Sequence, residues 1–141
     1  KLVKGLAAER PLALYCDLHG HSRRKNVFMY GNTDAMNPEA TRVFPFIMSK
    51  LCPDHFSYDY SRFKVQRSKE STARISLWRE LRANNVFTME ASFCGPKPKV
   101  DLQDPSSVTL NYHFTGEDLI AMGRSLCQAL LIYSQEESLI Q

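Results

Sequence analysis

The chain has 141 residues, 43% apolar and 23% charged, the size and balance of one soluble globular domain. No run approaches the roughly 18 consecutive apolar residues that a membrane span needs, and residues 1–10 lack the apolar core and cleavage site of a signal peptide, so neither insertion nor secretion is expected. Eighteen basic against 15 acidic side chains give a formal charge of +3, too small and too dispersed to announce a nucleic-acid binder.

Pro11 to His19 is almost continuously apolar until Asp17, which predicts a strand over Leu12 to His19 that is covered on both faces and central in a sheet. After the polar run Ser22 to Asn26, Val27-Phe-Met-Tyr30 reads as a short strand that Gly31-Asn32 ends. Val43, Phe44, Ile47, Met48 and Leu51 fall at helical spacing, but Pro45 forbids an unbroken helix through them, so a helix is expected to begin near Pro45. Phe63-Lys-Val65 reads as a brief strand, and Ile75, Trp78 and Leu81 as the apolar side of a helix from Ser71 or Thr72 to Asn84. Val86 to Phe93 is rich in β-formers; alternation puts Val86, Thr88, Glu90 and Ser92 on one face and Phe87, Met89, Ala91 and Phe93 on the other. Residues 95–107 contain three prolines and read as a loop. A helix from Thr115 to Tyr133 follows, with Thr115 and Asp118 at capping-box spacing and Leu119, Met122, Leu126, Leu130 and Tyr133 as its stripe. This alternation of strands and helices predicts an α/β fold with a mixed, mostly parallel sheet and packed helices. Three or four strands are few for a sheet with a buried centre, so residues 1–141 read as a single but incomplete domain.

Cys16, Cys52, Cys94 and Cys127 sit among apolar neighbours and read as buried, reduced thiols of the cytosol. Cys16-x-x-His19 and Cys52-x-x-His55 together contain four zinc-type donors, but residues three apart on a strand point to opposite faces, which argues against a shared ion. Glu90 is the anomalous carboxylate, since an ionised group in an apolar strand is costly unless paired or functional; the structural alternative is an ion pair with an arginine of the neighbouring helix. His19 closes a strand where open α/β sheets place ligand crevices, with His21 on the same face; the structural alternative, and the commoner one for a lone histidine, is a hydrogen-bonded core group. His55 and His113 read as surface residues. The basic runs Arg23-Arg24-Lys25 and Arg62, Lys64, Arg67, Lys69, Arg74 would form a positive cleft if their loops converge, suited to carboxylate-rich or phosphate-bearing partners.

Asp17-Leu-His-Gly-His-Ser-Arg-Arg-Lys-Asn-Val-Phe-Met-Tyr-Gly31, Val86-Phe-Thr-Met-Glu-Ala-Ser-Phe-Cys-Gly95 and Phe114-Thr-Gly-Glu-Asp-Leu-Ile-Ala-Met-Gly123 closely resemble the cytosolic carboxypeptidases, a branch of the zinc metallocarboxypeptidases. The likeness also takes in Arg42-Val-Phe-Pro and Lys69-Glu-Ser-Thr-Ala-Arg74. It implies the C-terminal part of the zinc carboxypeptidase fold and a cytoplasmic enzyme, associated with microtubules, that removes glutamates from glutamate-rich protein tails such as those of tubulin. It further implies His19 as a Zn2+ ligand with His21 a neighbour, and Glu90 as the carboxylate that accepts a proton from the attacking water and passes it to the leaving amine. Arg74, with Lys69 as its rival, would pair with the departing glutamate side chain, and Arg23 and Arg24 would bind substrate. The chain departs from the family in lacking any His-x-x-Glu pair and the upstream Asn-Arg pair that clamps the substrate carboxylate. One histidine is expected to hold zinc weakly, so the isolated piece is expected to be inactive. The alternative is a non-catalytic module that binds acidic tails through Arg23, Arg24, Lys25, Arg67, Lys69 and Arg74; neither nucleic acid nor membrane is expected as a partner.

Overall fold

The computed structural model describes residues 2–98 and 112–140, with side chains of the last helix described as far as residue 135. Its elements are α1 (Leu2–Glu9), β1 (Tyr15–His21), β2 (Val27–Tyr30), α2 (Val43–Leu51), α3 (Ala73–Leu81), β3 (Val86–Ser92) and α4 (Gly116–Ile140), with single 3₁₀ turns at Tyr58–Tyr60 and Arg67–Lys69. The strands form one mixed sheet in the order β1-β3-β2, with β3 parallel to β1 and antiparallel to β2. No helix among the described residues is long and apolar enough to cross a membrane.

The centre of this sheet is β3, whose Val86 and Phe87 are fully buried and whose Met89, Glu90 and Ser92 are nearly so. The strand expected there, β1, lies at the edge among the described residues. It starts at Tyr15 rather than Leu12, runs on through Gly20 to His21, and leaves Leu18 63% exposed. A continuous apolar run reports that both faces are suited to burial; it does not say which strands supply the cover. The outer edge of β2 is closed by an irregular segment. Val27 exchanges backbone hydrogen bonds with His55 and Ser57, and Arg62 bonds Met29 and Gly31, all at 2.7 to 2.9 Å. The extended pairing expected at Phe63–Val65 therefore occurs one residue earlier, at Arg62 opposite Tyr30.

One sheet face carries the core. Val27, Met29, Phe87 and Met89 pack there with Phe44 and Met48 of α2 and with Met122, Ala129 and Tyr133 of α4. Phe44 anchors the layer, stacked on Phe87 with centroids 5.8 Å apart and edge-on to Tyr133 at 6.2 Å. The helix α2 begins at Val43, two residues before the expected start, and takes Pro45 into its first turn. Nothing is lost by that, because the first N–H groups of a helix have no intrahelical acceptor and proline's fixed φ suits the position.

Thr115 and Asp118 form the expected capping box: Thr115 Oγ1 accepts the Asp118 N–H at 3.2 Å, and Asp118 Oδ2 accepts the Thr115 N–H at 2.8 Å. From there α4 continues seven residues past Tyr133, and Leu119 of the expected stripe is 49% exposed while Ser125 and Ala129 face inward. The helix α3 stops at Leu81, short of Asn84, because Arg82 adopts the left-handed conformation (φ 53°) and its N–H caps Trp78 O. Its buried side is Arg74, Ile75 and Leu77 rather than a line through Trp78. No sequence signal flagged α1. Most of the expected loop at residues 95–107 lies outside the described residues.

Candidate functional site

The register of β1 against β3 places His19 directly opposite Glu90, with Asp17 opposite Thr88 and His21 opposite Ser92. Paired residues of neighbouring strands share a face, and strands lie about 4.8 Å apart, so these side chains emerge beside one another on the face away from the core. On the other side of β3, Phe28 stands opposite Glu90 and Tyr30 opposite Thr88. His19, His21, Tyr30, Thr88 and Glu90 thus form the floor of a cleft of about 260 Å3. Its wall is the segment leading into α3, which supplies Lys64, Gln66, Lys69 and Thr72, together with Arg74 from the first turn of that helix.

Glu90 is only 9% exposed. Its partner is a histidine rather than the arginine the sequence suggested: His21 Nδ1 lies 3.7 Å from Glu90 Oε2, and the His21 ring sits edge-on to Phe28 at 5.1 Å. His19 is half exposed and pairs through Nε2 with Asp17 Oδ2 at 3.2 Å. A carboxylate on one ring nitrogen fixes the imidazole's orientation and leaves Nδ1 for an ion, the arrangement metal-ligating histidines use. The fit to a metal is that of a contributor only, because no group of three or more His, Cys, Asp or Glu side chains able to hold an ion occurs among the described residues.

Arg74 reaches the cleft from α3 and is 7% exposed. Its Nη1 donates to Gly31 O and, at 2.6 Å, to Asn32 Oδ1, while Asn32 Nδ2 donates to Val86 O at 3.1 Å. The guanidinium is thereby fastened to the turn after β2 and to the start of β3. Burial pulls its pKa below the ordinary arginine value, with nearby Tyr30 opposing the shift. A guanidinium has five N–H donors, so this anchorage leaves others for the cleft. Gly31 permits the close packing here, since a Cβ on it would lie 2.7 Å from Phe63 Cδ1 and 3.1 Å from Phe87 Cε1.

The two basic runs do converge, but on two sites. Lys64, Lys69 and Arg74 line the Glu90 cleft, whereas Arg23, Arg24 and Lys25 join Arg62 in a separate recess; Arg67 lines neither. Cys16 packs toward the core, on the opposite face of β1 from His19. Burial raises the Cys16 thiol pKa to about 11 and also raises that of Cys52, while Cys94 and Cys127 are exposed, contrary to the expectation that all four are buried. His55 is also not a surface residue. Its side chain is 17% exposed and held by Asp118 at 3.3 Å, by Cys52 Sγ at 3.6 Å and by the Phe114 ring. Sequence reading missed Tyr30 and Thr88, which a knowledge of the register would have placed beside Glu90.

Among curated proteins, the chain is 42% identical over 140 residues to cytosolic carboxypeptidase 2 of Xenopus tropicalis, 45% identical over 133 residues to cytosolic carboxypeptidase 2 of Danio rerio, and 40% identical over 136 residues to cytosolic carboxypeptidase 3 of Bos taurus. These alignments take in 97%, 92% and 94% of the chain but only 14%, 17% and 13% of the relatives. The chain therefore spans about one-seventh of the length of proteins it matches. Among solved structures, metallo-carboxypeptidases from Burkholderia cenocepacia and Pseudomonas aeruginosa superpose with TM-scores of 0.66 and 0.67 over 95% and 96% of the chain and about a third of theirs, at 16% identity. No family profile matches the chain.

Proposed function

From the premise that this chain belongs to the cytosolic carboxypeptidases, we propose that the protein carrying it is a metal-dependent exopeptidase that removes C-terminal glutamate from acidic protein tails, tubulin's among them. The observation that carries this reading is the pairing of Glu90 with His19 in a cleft walled by Lys64, Lys69 and Arg74. A shielded carboxylate next to an oriented imidazole, facing cations, suits general acid–base hydrolysis of an anionic substrate.

Zinc, when bound, would supply Lewis-acid polarisation of the scissile carbonyl and a more acidic water. His19 would contribute one ligand through Nδ1, the remaining ligands coming from outside the described residues. Glu90 accepts a proton on Oε1 or Oε2 from the attacking water and donates it to the departing nitrogen, and His21 keeps the carboxylate turned toward the cleft. Lys69 and Arg74 attract the side-chain carboxylate of the terminal residue; Arg74, being anchored, does so at the smaller cost in conformational freedom. The protein acts in the cytoplasm, at microtubules where tubulin tails are the substrate.

The test is release of free glutamate from a peptide ending in several glutamates, assayed on the complete, metal-loaded protein. Glu90→Gln keeps the shape and removes the base, and should lower kcat by about 10²–10⁴-fold; full activity in that variant refutes the assignment. His19→Ala should reduce bound metal measured by elemental analysis, a readout separate from activity.

A further inference from the structure

The second basic site has a different construction from the first. Arg23, Arg24, Lys25, Arg62 and Lys97 surround an open recess of about 560 Å3 with Tyr60 at its side, and among the described residues no Asp or Glu lines it. Arg24 Nη1 donates to Tyr60 O at 3.2 Å, and Arg62 Nη1 donates to Asp59 O at 2.7 Å and Ser61 O at 2.9 Å. These two arginines are thus positioned by neutral carbonyl oxygens, contacts that orient a guanidinium without neutralising it. Asn26 ties the two loops of the recess together. In a left-handed conformation (φ 66°), it donates its N–H to Gly95 O at 3.0 Å and accepts the Lys97 N–H on Oδ1.

His21 of the Glu90 cleft and Arg24 of the recess both pack on the ring of Phe28, which is fully buried beneath them. His21 touches that ring at 5.1 Å between centroids, and the Arg24 guanidinium lies over it at 5.6 Å. The two groups can be no farther apart than these distances laid end to end, which about three residues of extended peptide span at about 3.3 Å each. We infer that the recess is an anion subsite for an acidic peptide, engaging side-chain carboxylates from within about three residues of a chain end seated in the Glu90 cleft. This inference rests on the reading of that cleft as the seat of the terminal residue. Nearness to it selects a peptide, because a chain end entering the cleft carries its preceding residues past His21 and Arg24 toward the cations of the recess.

The test uses the complete protein in a Glu90→Gln background, so that ligand is bound and not consumed, with hexaglutamate and N-acetylglutamate as probes. Arg23 and Lys97 are exposed, so Arg23→Gln with Lys97→Gln leaves the fold intact, which an unchanged thermal midpoint verifies. The double variant should weaken hexaglutamate about tenfold and leave N-acetylglutamate unchanged, and the hexaglutamate affinity should fall with added salt. Hexaglutamate binding that the double variant leaves unaltered overturns the subsite. So does N-acetylglutamate binding, lost in Lys69→Gln, with hexaglutamate no tighter; in that case the cleft reading survives alone. Failure of both probes to bind overturns both. An oligothymidylate of equal charge that binds more tightly than hexaglutamate, through the same two residues, makes the recess a nucleic-acid contact instead.

Discussion

Arg74 connects the cleft to the fold, and its removal should be felt in both. Truncation to alanine deletes the charged donor that satisfies Gly31 O and Asn32 Oδ1 in a nearly buried position. Hydrogen bonds from charged groups contribute about 1.5–3 kcal/mol each, and an acceptor left buried without a partner costs about 1–3 kcal/mol. Part of this is returned because the guanidinium no longer has to be desolvated, so a net loss of about 3 kcal/mol is expected. For a chain of this length each kcal/mol moves the melting temperature by about 3–5 °C, which places Arg74→Ala about 10 °C below the parent. Urea titration should give the same loss as a lower midpoint at constant slope. Asn32→Ala must be made alongside. Asn32 is fully buried and relays the contact to Val86 O, so the two substitutions should be coupled by more than about 1 kcal/mol in a double-mutant cycle. Arg74→Lys should recover only part of the loss, because an ammonium is a point donor that cannot copy the planar fork. A shift below about 2 °C for Arg74→Ala, or strict additivity with Asn32→Ala, would refute the claim that this guanidinium fastens the turn to β3.

Two further outcomes follow from groups away from the cleft. The Thr115 N–H holds the Asp118 carboxyl below the ordinary carboxylate pKa, with the Thr115 hydroxyl and His55 adding to the effect. A depressed folded value means that the contribution is full above the ordinary carboxylate range and is lost as pH falls through the depressed one. Asp118→Asn should therefore flatten the acid limb of a plot of melting temperature against pH, while Thr115→Ala should cost about 1 kcal/mol near neutrality; an acid limb unchanged in Asp118→Asn refutes the first expectation. Alkylation under native conditions, followed by mass spectrometry, should label Cys94 and Cys127 at once and Cys16 and Cys52 only after unfolding. Rapid native labelling of Cys16 would contradict its burial against the core.

What could be read from the sequence was whatever depends on local chemistry. The capping box is legible because its two partners are three residues apart, and the alternation in Val86 to Phe93 separates Glu90 from Phe87 and Met89 without knowledge of any neighbour. The strand order was not legible, since the apolar runs of β1 and β3 look alike and only pairing decides which lies between two others. The same limit explains the histidines. His55 follows a Pro-Asp turn and looks exposed, yet it is covered by Phe114 and Asp118, which lie about sixty residues on in the chain. The separation of the basic residues into two sites likewise depends on Phe28, whose position beneath His21 and Arg24 follows from β2 pairing antiparallel to β3.

The pattern that packs the core also aligns the site. On β1 and β3 the apolar members, Cys16, Phe87 and Met89, lie on the face covered by α2 and α4, and the titratable members, Asp17, His19, His21 and Glu90, lie on the other. If β1 slipped by one residue against β3, each of its side chains would change face. In the slip that puts Asp17 in the place of Cys16, the one β1 side chain described against the core cluster, its carboxylate would stand there without a compensating partner. The desolvation cost of that slip exceeds what a few strand hydrogen bonds could offset. The placement of His19 beside Glu90 is therefore held by the same burial that holds the sheet together, and it needs no contact dedicated to that purpose.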